Sequence, residues 1–409
     1  MWKPATRHQV FHKHLQKAPQ TTKLRHSEVM TVATQTAARS RMLQLHHGAD
    51  DSTADRLRNQ VNSAKLVRVR RGCFLAAPAW LRSPPWERHL ITCLAVGMTT
   101  PGVIFCRETA LALHGVPLLR TPQAVHLRTH SNSQSGRRRS AAITGAAPRA
   151  ALVKIWQATF GEDPAGQGWL RRFTGVDTKR VQYPRPLRAG VRSGLDPRAE
   201  AAYQRAVKHL EPPLLTHVHP PAVQLRTESL ALSVVDTVCH AEFAAAVVIL
   251  DAVLAGRHTG PMVESDALES WLPCAPSARA QDRWERALAF ADPLAESAGE
   301  SLSRVRIAQA GFQVPRLQYT ITVADGKRYR TDFYWPEAKI VGEFDGAMKY
   351  TRARALQGAE PAEVVVQEKN RERRIEQQGY RVVRWDWNDL RSPDALRRIL
   401  SDYGVPRAR

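Results

Sequence analysis

The sequence predicts a multidomain α+β fold, and three observations carry that expectation. Short runs of β-branched and aromatic residues gather in two places, near residues 66–76 and 314–387. Between them the most apolar stretch, Leu230 to Gly256 (LALSVVDTVCHAEFAAAVVILDAVLAG), reads as helix. A length of 409 residues with 43% hydrophobic side chains is enough for two or three domains with ordinary buried cores.

Taken in order, residues 1–25 read as a flexible basic arm, and His26 to Leu45 as a first helix. Asp51-Ser52-Thr53 offers N-cap residues for a second helix, Ala54 to Lys65, with Leu57 and Val61 four apart on one face. Arg56, Arg58, Asn59 and Gln60 occupy its other face. Leu66 to Val69, a tight Arg70-Arg71-Gly72 and Cys73 to Ala76 then alternate as a small hairpin carrying Arg68, Arg70 and Arg71. Helix, helix, basic hairpin is the order of a winged helix-turn-helix, in which the second helix enters the major groove and the wing touches backbone. Residues 26–130 resemble the N-terminal domain of AbiEi-type antitoxins, the regulatory half of type IV toxin-antitoxin systems. That resemblance implies DNA as a partner, through Arg56, Arg58, Asn59, Arg68, Arg70 and Arg71, and a cognate toxin as a second one. Pro85 to Met98 and Arg107 to His114 read as helices, the latter ended by Gly115 and Pro117, and Gln123 to Thr129 as a strand. His114 is expected to be a helix-end residue favoured by the dipole and not a catalytic base.

From Arg128 to Arg205 fifteen Lys or Arg face five acids, Arg137-Arg138-Arg139 among them, and periodicity is poor outside Ala150 to Phe160. Residues 131–206 are expected to be an insertion or linker, either a phosphate-binding arm or a solvated spacer. Residues 207–290 form a helical bridging region in this reading, with Leu230 to Gly256 as two packed helices interrupted near His240. His217 and His219 share a strand face but have no third ligand nearby, so no metal site is expected there.

In the last part of the chain, Ala295 to Gly311 reads as a helix with apolar Leu302, Val305 and Ile307 and a closing glycine. Val314 to Val323, Tyr329 to Trp335 and Lys339 to Phe344 follow as strands, joined through Asp325-Gly326 and through Pro336-Glu337-Ala338. Side chains two apart share a strand face, so Glu343 and Asp345 are neighbours, and the hairpin can set Asp332 opposite them. Carboxylates gathered this way repel one another unless a proton or cation lies between them, and Mg2+ is the natural occupant. A helix, Pro361 to Gln378, and a strand, Tyr380 to Trp387, complete an αβββαβ order over 291–409. This order resembles the restriction-endonuclease-like PD-(D/E)xK nucleases, most closely those similar to very short patch repair endonucleases. The resemblance implies a Mg2+- or Mn2+-dependent endodeoxyribonuclease in which Glu300, Asp332, Glu343 and Asp345 are site residues and Asp332, Glu343 and Asp345 hold the metal. Position 345 is aspartate where the commonest pattern has lysine, so Lys349 or Lys369 is expected to supply that charge.

The balance of 60 Lys plus Arg against 38 Asp plus Glu, net +22, favours a polyanionic partner. Five scattered cysteines, at 73, 93, 106, 239 and 274, form no CxxC pair and suggest reduced thiols in a cytoplasmic protein. No apolar run reaches the ~18 residues of a membrane span, and no membrane partner is expected.

Overall fold

A computed structural model describes residues 51–166, 168–184, 197–210, 224–346 and 361–408, the side chains of 51–53, 199 and 361–367 excepted. The expected helix from His26 to Leu45, together with His217, His219 and Lys349, lies outside the described residues. The chain divides into two compact units: the described residues of Pro19–His240 with His258–Asp282, and Ala241–Arg257 with Arg283–Arg409.

The described part of the first unit opens with α1 (Asp51–Asn62), so the expected N-cap triplet lies within the helix and not ahead of it. The helix also stops three residues early, because Ala64 adopts a left-handed φ of 57° and Ser63 turns its amide and hydroxyl back onto the Asn59 carbonyl. β1 (Leu66–Arg70) and β2 (Cys73–Ala76) pair antiparallel from Leu66↔Ala76 to Arg70↔Cys73 around Gly72, whose φ of 76° suits a residue without Cβ. Alternation places Val67, Val69, Cys73 and Leu75 in a core shared with Trp80 of α2 (Ala77–Arg82) and with Ile91 and Ala95 of α3 (Pro85–Thr99). α4 (Arg107–Leu113) and β3 (Ala124–Thr129) fall where the sequence indicates them. His114 differs: its imidazole is buried, donates to the Glu228 carbonyl at 2.8 Å, and is pushed by burial toward the neutral form, so it is a packed hydrogen-bond donor and not a dipole-favoured cation.

The stretch read as an insertion or linker is built into this unit. It supplies β4 (Gly136–Arg138), α5 (Arg149–Phe160), β5 (Asp177–Gln182) and α6 (Pro197–Ala206). β5 pairs parallel with β3 and antiparallel with β4 in a sheet ordered β3-β5-β4, while Trp156, Trp169 and Phe173 pack with Leu81 in a separate core. β6 (Lys208–Leu210) and β7 (Leu225–Thr227) form a further antiparallel pair, and Phe105 bridges to both Leu127 and Thr227.

Next comes α7 (Leu230–Val238); after the break at His240, α8 (Phe243–Leu254) belongs to the second unit, and α9 (Ser265–Glu269) returns to the first. The two apolar helices read as one packed bridge thus serve different units. In the first unit Arg128, almost fully enclosed, donates to Glu228, Asp236 and the Gln182 carbonyl, and Arg107 donates to Asp236 at 3.0 Å. Burial opposes ionisation of Asp236, but Arg128 and Arg107 hold it well below the usual carboxylate range.

α10 (Ala278–Phe290) leads into the second unit, which continues through α11 (Ala298–Gln309), β8 (Arg316–Thr322), β9 (Arg328–Trp335), β10 (Ile340–Asp345), α12 (Pro361–Glu376) and β11 (Arg381–Asp386). Two short helices follow, α13 (Trp387–Arg391) and α14 (Pro393–Asp402). The sheet order is β11-β10-β9-β8, with β8, β9 and β10 antiparallel and β11 parallel to β10. Among the described residues the element order is therefore αβββαβ. Close approach explains two glycines: a Cβ on Gly299 would lie 2.0 Å from the Phe344 ring, and one on Gly342 would lie 2.6 Å from the Trp385 ring. α8 is tied to α11 through Asp251, which accepts from Arg304 at 3.1 Å and from the Asp292 amide at 2.7 Å. Because α8 is part of this unit, the unit does not begin at residue 291. All five cysteines are free and buried, and no helix among the described residues is long and apolar enough to cross a membrane.

Candidate functional site

Glu300 lies on α11, Asp332 on β9, and Glu343 and Asp345 on β10, next to β11. Ser297 caps α11: its hydroxyl accepts from the Glu300 amide at 3.1 Å and donates to Glu300 Oε1 at 2.8 Å. Glu300 Oε2 also accepts from the Glu296 amide at 2.8 Å and from Gln318 Nε2 at 3.0 Å. Glu300 is thus first a capping residue, in the Ser-x-x-Glu arrangement. Burial, then the charge of nearby Asp332, raises its carboxyl above the ordinary range.

The ladder opens at Asp332. β8 and β9 pair at Leu317↔Phe333 and again at Tyr319↔Thr331, and the register skips Gln318, at a left-handed φ of 53°, and Asp332 between them. β9–β10 pairing ends at Gly342↔Phe333, and Asp332 Oδ2 accepts from the Phe344 amide at 2.9 Å. A non-glycine residue in that backbone region carries strain, and such irregularities re-aim side chains at sheet sites. Gln318 Oε1 is buried with no hydrogen-bond partner.

Glu343 is 4% exposed and accepts from Arg371 Nη2 at 2.8 Å. Arg371 also donates to Glu368 at 3.0 Å and to the Arg330 carbonyl at 2.6 Å. Arg384, opposite Glu343 in the parallel β10–β11 register, donates to Glu368 at 2.8 Å and lies 3.4 Å from Asp345. Burial would raise the Glu368 carboxyl, but the hydrogen bond from Arg384 and the Arg371 charge lower it overall. Lys369 is exposed.

The structure therefore brings Asp332 near Glu300, and Glu343 and Asp345 into one Arg371–Glu368–Arg384 chain. It does not gather Asp332, Glu343 and Asp345 as three converging ligands, and among the described residues no group of three or more His, Cys, Asp or Glu is placed to hold a metal. The physical reason is competition, since the arginines already neutralise two of the three carboxylates. Arg371, Arg384, Glu368 and Gln318 were not singled out from the sequence. Glu368 and Arg371, three apart on a helix, and Ser297 and Glu300 at capping-box spacing were the available signals.

In the first unit Arg56, Arg58, Asn59, Arg68 and Arg71 are exposed. Arg58 pairs with Asp55 at 2.7 Å, and Arg70 is half-buried, donating to Thr99 Oγ1 at 2.8 Å and Thr100 Oγ1 at 3.3 Å. Arg68 donates to the Ala142 carbonyl at 3.3 Å.

Two uncharacterized proteins of Mycobacterium tuberculosis, MT2308 and Rv2248, are each 33% identical to this chain over 104 residues, a quarter of this chain. The match spans 35% of the length of each relative. No family model and no solved structure matches the chain.

Proposed function

We propose that this protein binds DNA through its first unit and cleaves it with its second, as a Mg2+- or Mn2+-dependent endodeoxyribonuclease. The observation that carries the reading is the opened ladder at Asp332, one strand from Glu343 in an αβββαβ unit, with a strained Gln318 and a raised Glu300 beside it. Asp332 and Glu343 are the carboxylates assigned to the metal. When bound, the cation would supply an activated water and offset charge on the phosphate. Arg371 pairs with Glu343 and would give way to the cation on binding, and Arg384 orients Asp345 and Glu368. Lys349 or Lys369 is assigned the remaining positive charge at the phosphate. DNA is the substrate class because the chain carries net charge +22 and the helix-plus-hairpin of the first unit exposes Arg56, Arg58, Arg68 and Arg71.

A second reading is a DNA-binding regulator, antitoxin-like and paired with a cognate toxin, whose second unit binds without cleaving. It is favoured by the arginine partners of Glu343 and Asp345 and by aspartate at position 345. Cleavage of supercoiled plasmid with Mg2+ or Mn2+ by wild type and Asp332→Asn separates the two. Metal-dependent nicking lost in the variant supports the nuclease, and equal nicking by both removes the assigned site.

A further inference from the structure

We infer that the β1–β2 hairpin and the β4–β5 strands of the first unit form one arginine-lined track for the phosphate backbone of duplex DNA. This inference rests on the proposed DNA reading of that unit and extends it beyond the helix-and-hairpin face. The two pairs of strands are joined from below: Val67, Val69, Cys73 and Leu75 share a core with Ile143 and Val176, which follow β4 and precede β5. The Arg68 amide donates to the Ile143 carbonyl, stitching β1 to the same segment. With those residues turned inward, alternation turns Arg68 and Arg70 outward. In the β4–β5 pair the register sets Gly136 across from Arg180, Arg137 across from Lys179 and Arg138 across from Thr178.

The cations are close enough to repel. Burial, and then the charges of Arg138 and Arg180, pull the Arg70 guanidinium below its ordinary value. Arg137 spends its charge on Asp177 at 2.7 Å. Among the described residues, no carboxylate forms an ion pair with Arg68, Arg70, Arg71, Arg138 or Arg180. A polyanion is the partner that relieves such repulsion. The large exposed hydrophobics, Trp86, Met262, Val314 and Tyr403, lie outside these strands. The strands carry a single aromatic, Phe74, half-buried across from Arg68, so the track offers a row of cations without a succession of stacking rings, which suits the regular backbone of a duplex over unstacked single strands.

The test is the salt dependence of binding of the full chain to a short DNA duplex, read by fluorescence anisotropy in EDTA so that cleavage plays no part. Arg138→Ala/Arg180→Ala should flatten the slope of log K against log salt by about two units, at about 0.9 for each phosphate no longer neutralised. Arg71→Ala/Arg138→Ala, at two exposed positions, should do the same should the first pair disturb folding by circular dichroism. Arg397→Ala, in the other unit, should leave the slope as in wild type. An unchanged slope in both folded double variants overturns the track, as does tighter binding to single-stranded DNA or to an RNA duplex of the same sequence. Metal-dependent nicking is scored separately, so a failed track leaves the nuclease reading standing, and a failed nuclease leaves the track standing.

Discussion

Replacing Arg371 by alanine leaves the Glu343 carboxylate, 5% exposed at its side chain, without its 2.8 Å guanidinium neighbour. Breaking a buried ion pair by removing one member costs about 3–5 kcal/mol, because the other charge stays behind in a poor solvent. Arg371 is itself 22% exposed, so water can reach part of the site and the lower end applies. We expect a loss of about 3 kcal/mol in the local stability of β9 and β10, read as faster amide exchange in peptides covering 328–345. A divalent cation can then take the place of the guanidinium. At a free concentration 100-fold over its dissociation constant it restores about 2.7 kcal/mol. Mg2+ should therefore protect Arg371→Ala more than wild type, in which the arginine competes. Adding Glu343→Gln removes that buried charge, so the double variant should recover stability in EDTA and lose its response to Mg2+. A single variant that costs less than about 0.5 kcal/mol, or equal protection of the single and double variants by Mg2+, would refute this reasoning.

Gly342→Ala should destabilise the second unit by about 1–3 kcal/mol, since its methyl would meet the Trp385 ring at 2.6 Å; thermal unfolding reads it. Arg304→Ala strands buried Asp251 and should cost about 3–5 kcal/mol by urea unfolding, with Asp251→Asn/Arg304→Met milder than either single change. For the same reason a fragment from 241 to 409 should unfold cooperatively, whereas 291 to 409, lacking α8, should not, as calorimetry can check. His89 is buried and pushed down to about 4 by burial and by His126. Its folded value lies below the unfolded ~6.5, so the unfolded chain takes up the proton first. That stability is present above pH ~6.5 and is lost as pH falls toward 4, about 3 kcal/mol in all. His89→Gln should flatten the pH dependence of urea unfolding over that window.

The second unit was legible because its elements carry strong local signals. Asp325-Gly326 marks a tight turn between β8 and β9, and the aromatic and β-branched residues of β9 and β10 match their burial. Partners were harder to read than positions. Nothing local in the sequence says that Arg371 and Arg384, from α12 and β11, reach Glu343 and Asp345, since those pairings depend on the parallel β10–β11 crossover. Gln318 was invisible because a left-handed residue within a strand is imposed by the sheet and not by side-chain preference. In the first unit, β5 (DTKRVQ) has no hydrophobic alternation and β4 only three exposed residues, so both read as linker until pairing with β3 and β5 accounts for them. The hairpin was legible from Val67, Val69 and Leu75, whose alternation matches their burial in one core.

The proposed cleavage activity is tested most directly by nicking of supercoiled plasmid by the purified full chain, with Mg2+, with Mn2+ and with EDTA, for wild type beside Glu343→Gln. The expected result is nicking by wild type that requires the metal and is abolished in the variant. DNA affinity in EDTA should be unchanged or higher in the variant, because one carboxylate no longer repels the phosphate. Equal nicking by the two proteins, or none by wild type with either metal while DNA is still bound, contradicts the nuclease reading and favours the regulator.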